Sequence, residues 1–95
     1  MLRVVVTYTA NKAGNAEAFV KEAIESGHAK TVREENGCRQ YDYFLNPEDP
    51  MTTVLIEEWD SREAQAIHET QPHMEELMKL KAKYICNTVV EFYDK

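Results

Sequence analysis

A run that is apolar on both of its faces opens the chain, and it limits the fold more than any other feature. In Leu2-Arg3-Val4-Val5-Val6-Thr7-Tyr8-Thr9-Ala10, the residues Leu2, Val4, Val6 and Tyr8 share one parity, and Val5 takes the other with small Thr7 and Thr9. Successive side chains of a strand point to opposite faces, so the pattern predicts a strand over 2–10 covered on both sides. One layer of helices covers one side only. The other side needs a second layer.

Ninety-five residues are too few to divide into two cores, so residues 1–95 are expected to form a single domain. A chain of this size buries only roughly 60–65% of its unfolded surface, which favours a partner that adds buried area. Acidic residues outnumber basic ones 17 to 11, for a formal charge of −6. Such a surface does not neutralise phosphates, so nucleic-acid binding is not expected. No apolar stretch is long enough for a membrane span, and the start of the chain lacks a signal peptide's longer apolar region. A cytoplasmic location is the expectation, with no membrane partner. Cys38 and Cys86 are too few and too far apart for a disulfide scaffold or a zinc ribbon.

Along the chain, Asn15 is the expected cap of a first helix whose inner stripe is Phe19, Val20, Ala23, Ile24, Gly27, His28 and Thr31. Gly37 ends it in a left-handed stop. A second strand spans 38–45, with Arg39, Tyr41, Tyr43 and Leu45 on one side and Cys38, Gln40, Asp42 and Phe44 on the other. Asn46-Pro47-Glu48-Asp49-Pro50 reads as a turn. A third strand, 52–59, puts Thr53, Leu55, Glu57 and Trp59 on one face. Asp60 and Glu63 resemble a capping box, with a helix starting at Ser61 and carrying Ala64, Ile67 and His68 inward. Pro72 opens a second helical piece, with His73, Leu77, Leu80 and Tyr84 on a stripe and Met74 and Met78 beside it as packing around a cavity. The last strand is 85–93.

The order β-α-β-β-α-β predicts an α+β, ferredoxin-like domain. Right-handed crossovers give a four-stranded antiparallel sheet of spatial order 4-1-3-2 with the helices on one face. The second and fourth strands become opposite edges about 14 Å apart, which is beyond disulfide reach. The face without helices is also apolar, and a second copy packed sheet to sheet would remove it from water. A homodimer is therefore expected.

Four segments together resemble the antibiotic biosynthesis monooxygenase domain family. They are Glu35-Asn36-Gly37-Cys38-Arg39-Gln40-Tyr41, Asn46-Pro47-Glu48-Asp49-Pro50, Glu57-Glu58-Trp59-Asp60-Ser61-Arg62-Glu63-Ala64, and His68 with Pro72-His73. The resemblance covers residues 35–73 closely. It implies a dimeric α/β barrel with a pocket between sheet and helices, and members that oxidise quinols and anthrones with oxygen but no metal or flavin. The wider group includes haem-degrading enzymes and an isomerase. The first strand has no asparagine of the kind the haem-degrading members use, which disfavours haem breakdown. Leu55 stands where some monooxygenase members carry an asparagine, and it is counted with the substrate-binding residues.

The expected catalytic residues are His68, Glu57 and Trp59. His68 would be a general base or oxyanion partner, because an imidazole exchanges protons near neutrality; packing or capping is the alternative. Burial would raise the pKa of Glu57 and suit it to proton transfer, unless it forms an ion pair with Arg39. Trp59 would donate its indole N–H to a substrate oxygen, with plain core packing as the alternative. Tyr41, Tyr43, His28 and His73 are the further substrate-binding candidates, although local capping suits His73 equally. On one continuous helix His68 and His73 would diverge by about 140°, so no metal is expected. No cofactor is expected either. The functional expectation is a cofactor-independent monooxygenase acting on a small quinol or polyphenol. The alternatives are a cofactor-free isomerase or lyase on a small carbonyl compound and a non-catalytic ligand-binding dimer.

Overall fold

The computed structural model describes residues 1–95. Its strands are β1 (Leu2–Ala10), β2 (Cys38–Asn46), β3 (Asp49–Trp59) and β4 (Ile85–Asp94). Its helices are α1 (Asn15–Glu25), α2 (His28–Arg33), α3 (Arg62–Glu69) and α4 (Met74–Tyr84). The strands form one antiparallel sheet of order β2-β3-β1-β4, the expected order read from the opposite edge. Cys38 and Cys86 stand on its two edge strands as free thiols. None of the helices is long and apolar enough to cross a membrane.

The opening run is covered on one of its two faces, and Val5, Thr7 and Thr9 on the other are half-buried. Leu2, Val4, Val6, Tyr8 and Ala10 are buried toward the helices, as are Thr53, Leu55, Glu57 and Trp59 of β3. Phe19 packs edge-on against Tyr8 and Tyr43, with ring centroids 5.0 and 5.8 Å away. Ala23, Ala29 and Val32 complete a sealed contact of α1 and α2 with the sheet.

Several local expectations are corrected. The first helix is two helices, because Gly27 adopts φ 86°, a left-handed conformation that interrupts the α geometry. Asn15 is not the cap; Gly14 holds that position, and the Asn15 amide donates instead to Asn11 Oδ1 at 2.6 Å. Arg39 is the extra residue of a bulge between Cys38 and Gln40, which pair with Trp59 and Glu58. Cys38 therefore shares the inward face with Tyr41, not the outward one. β3 begins at Asp49, three residues earlier than expected. Pro50 is tolerated there because β1 pairs only as far as Thr52. Ser61, not Asp60, caps α3, its hydroxyl accepting from the Ala64 N–H at 3.1 Å. Asp60 pairs with Arg39.

Candidate active site

Between the inner face of the sheet and α3–α4 lies a cavity of about 150 Å³. Val4, Val6, Leu77 and Val90 give it apolar walls, and Met74 and Met78 line it from α4 as expected. Tyr8, Tyr41, Glu57, His68, Glu69, Lys81 and Thr88 are its polar lining. A larger groove of about 390 Å³ opens on the outer side of α3, but only two of its nine lining residues are apolar. It cannot cage an apolar molecule.

His68 is held from behind. Its Nδ1 lies 2.7 Å from Glu35 Oε2, and its ring stacks at 32° on the Trp59 indole with centroids 4.6 Å apart. In the tautomer with its proton on Nδ1, His68 donates to this carboxylate and Nε2 is the acceptor nitrogen of a ring that lines the cavity. A base oriented by a carboxylate is the arrangement by which hydrolytic triads fix a tautomer. Glu35 sits just beyond α2, and Gly37 brings it there. Gly37 has φ 87°, and a Cβ on it would stand 2.7 Å from Ala64 Cβ. This contact lets the turn before β2 lie against α3. The Asp60 N–H completes it by donating to the Gly37 carbonyl at 2.8 Å.

His73 reaches the same carboxylate, with Nε2 2.7 Å from Glu35 Oε2, and does not cap α4 with its side chain. The predicted divergence of His68 and His73 fails because α3 stops at Glu69 and α4 starts at Met74. The turn between them swings both rings onto Glu35. Glu35, His68 and His73 thus form a group of metal-capable donors.

Glu57 does not pair with Arg39. Its Oε1 accepts the Trp59 indole N–H at 3.0 Å, so that N–H is directed at the protein rather than at a substrate. Burial raises the Glu57 pKa, against opposing pulls from the Trp59 hydrogen bond and His68. Burial also pushes Tyr41 well up and Tyr43 up to about 12, with neighbouring Tyr43 and Glu57 respectively adding to it. Both hydroxyls therefore remain protonated near neutrality, and both are buried.

Of the predicted site residues, His68, Glu57 and Tyr41 line the cavity. Trp59, Tyr43, His73 and His28 form a layer behind it, and Leu55 is buried core. His28 stands 6.4 Å from Tyr41 and 5.9 Å from His73, ring centre to ring centre, with both nitrogens unpartnered. Sequence reasoning missed Glu35, Tyr8, Glu69 and Lys81. Glu35 opens the first matching segment, which was the available signal; Tyr8 and Lys81 need the placement of α4 over β1, and Glu69 needs the point at which α3 ends.

Residues 1–80 match the model of the antibiotic biosynthesis monooxygenase family. The chain belongs to that family. A search of curated protein sequences finds no match. Among solved structures, an antibiotic biosynthesis monooxygenase is 28% identical with a TM-score of 0.83, over 100% of this chain and 98% of its own. PA3566 from Pseudomonas aeruginosa is 26% identical with a TM-score of 0.82, over 99% and 92%. A candidate antibiotic biosynthesis monooxygenase from Nitrosomonas europaea shares the fold at 24% identity and a TM-score of 0.86, over 100% and 98%. In this antibiotic biosynthesis monooxygenase domain, three of the four segments converge in space, and residues 46–50 lie apart beside Gly14 and Ala16. Glu35 and Gly37, Glu57 and Trp59, and His68 and His73 all meet around one imidazole.

Proposed function

We propose that the protein is a cofactor-independent monooxygenase acting on a small, single-ring quinol. The observation that carries this reading is His68, fixed by Glu35 and Trp59 with its free nitrogen toward a largely apolar cavity. A cavity of this volume holds about one aromatic ring. His68 Nε2 takes a proton from a ring hydroxyl, which makes the ring electron-rich enough to react with oxygen. The Tyr41 hydroxyl, and Tyr8 beside it, orient the oxygenated ring, and the apolar walls keep water away. In the overall change, quinol and O2 give hydroxyquinone and water. One oxygen atom enters the ring, the other leaves as water, and the substrate supplies all four electrons. An oxygen electrode with a panel of single-ring quinols tests it. Uptake above autoxidation that disappears in His68→Ala supports the reading; uptake equal in both proteins defeats it.

Glu57 favours a second reading. A buried carboxyl with a raised pKa, beside a base in the same cavity, is an acid–base pair suited to isomerising a small carbonyl compound. Conversion that proceeds equally without oxygen would select it.

The working unit in this proposal is a homodimer. Across the sheet face without helices, Phe44, Val54, Thr7 and Val89 align in one row, and Val5 and Ile56 lie in the next. Phe44 and Val89 are about half exposed. A second copy laid on this face would cover the row, and Phe44→Glu should then yield monomers by light scattering.

A further inference from the structure

All three histidines of the chain meet at one place, and the proposed proton transfer uses only one of them. His68 Nδ1, His73 Nε2 and a Glu35 oxygen lie within 4.8 Å of one another, from three separate pieces of chain. Their side chains are 2%, 20% and 11% exposed. Two imidazole nitrogens and one carboxylate oxygen are a donor set that borderline divalent ions prefer. Donors about 2.1 Å from a common ion stand about 3.4 Å apart at a tetrahedral angle. The carboxylate oxygen, 2.7 Å from each nitrogen, would withdraw by about 0.7 Å, and the two rings, with all three atoms within 4.8 Å, would adjust to the same spacing.

Two further observations point the same way. The groove outside α3 has Glu35, Asp60 and Glu63 in its wall; Asp60 is paired with Arg39, and Glu35 and Glu63 leave the groove with a net negative lining through which a cation could reach Glu35. On the inner side, His28 is 1% exposed and has no partner for either nitrogen, although its ring stands next to that of His73. The cluster thus carries more nitrogen donors than its hydrogen bonds use.

We propose that Glu35, His68 and His73 bind one divalent transition-metal ion of the zinc, cobalt and nickel class. The ion takes the lone pairs of His68 Nδ1 and His73 Nε2, and each neutral ring then carries its proton on the other nitrogen. On His68 that nitrogen is Nε2, so the ring changes from a proton acceptor to a donor toward the cavity. Neither Glu35 nor His73 lines the cavity, and the ion acts on the base from outside it. The metal-loaded protein therefore cannot carry out the proton abstraction proposed for His68, which belongs to the metal-free form, and the test of the site reads binding rather than turnover. Either idea can fail alone.

Chelator-treated protein is titrated with Zn²⁺ by calorimetry and with Co²⁺ by visible absorption. The expected result is one ion per chain, a higher thermal midpoint with metal, and binding weakened at least about 10–100-fold in Glu35→Gln and in His73→Gln. Circular dichroism checks each fold. His73→Gln, at the more exposed position, carries the test if Glu35→Gln unfolds. No saturable binding overturns the proposal. So does binding that survives these substitutions but is lost in the groove variant Asp60→Asn/Glu63→Gln.

Discussion

The two halves of the helix layer rest on the same sheet in different ways. Under α1 and α2 the contact is closed: Ala16, Phe19, Ala23, Ala29 and Val32 are all fully buried. Under α3 and α4 only His68, Leu77 and Leu80 are buried, Ile67 and Met78 are 53% and 61% exposed, and the cavity lies between. Alanines at the inner positions of α1 and α2 let those helices approach closely. Longer Met and Leu side chains hold α4 away from β1 and leave room. Buried packing is concentrated in the first half, and the cavity with the chemistry proposed for it in the second.

The sharpest test of that separation sets one substitution from each half side by side. His68→Ala should lower turnover by about 100–10,000-fold, the range a positioned base supplies. Phe19→Ala should destabilise by about 3–5 kcal/mol, because it empties a fully buried site between two tyrosines. Urea unfolding and initial rates on both proteins give the comparison. If Phe19→Ala costs less than about 1 kcal/mol, the closed half does not carry the stability assigned to it.

A smaller effect tests the joint between the halves. Gly37→Ala meets both a left-handed φ of 87° and a Cβ 2.7 Å from Ala64, and should destabilise by about 1–3 kcal/mol. It should also slow turnover more than its stability loss explains, because relief of the clash moves Glu35 away from His68. Normal turnover in a folded Gly37→Ala protein would show that Glu35 need not be held so closely.

The sheet order and its two edges followed from the β-α-β-β-α-β order with right-handed crossovers, and the helix-covered face was legible because a period of two needs only the identity of alternate residues. Leu2, Val4, Val6 and Tyr8 are enough to orient β1, and Glu57 and Trp59 could be placed inward by counting. The centre of the site was not legible, because it depends on where regular structure stops. His68 and His73 meet because α3 ends at Glu69 and α4 starts at Met74, whereas His28 is buried on the inner stripe as its spacing predicted, although Gly27 breaks that helix in two. Spacing rules assume an uninterrupted element. The bulge at Arg39 defeats them in the same way, by shifting Cys38 to the inner face. Glu35 was visible in the sequence, but only the Gly37–Ala64 contact explains why it reaches two histidines.

The smallest expected effect falls on the cavity itself and has a sign that changes what it teaches. Burial raises the Glu57 pKa above the ordinary carboxyl value of 4.5. A raised carboxyl pKa means that the folded state holds its proton more tightly than the unfolded state. Stability from this group is therefore complete below the unfolded value and is lost as pH rises through the folded one. Glu57→Gln keeps an oxygen for the Trp59 N–H and removes the buried charge. It should be more stable than the parent at pH 7, by less than the Gly37→Ala loss, with the gain fading toward pH 4. Thermal midpoints at the two pH values measure it. A gain in stability with a loss of turnover would mark Glu57 as a residue retained for chemistry at the expense of the fold, the exchange expected of the open half. A variant that is less stable at both pH values would mean that the indole hydrogen bond outweighs burial, and that Glu57 belongs with the packing of the closed half instead.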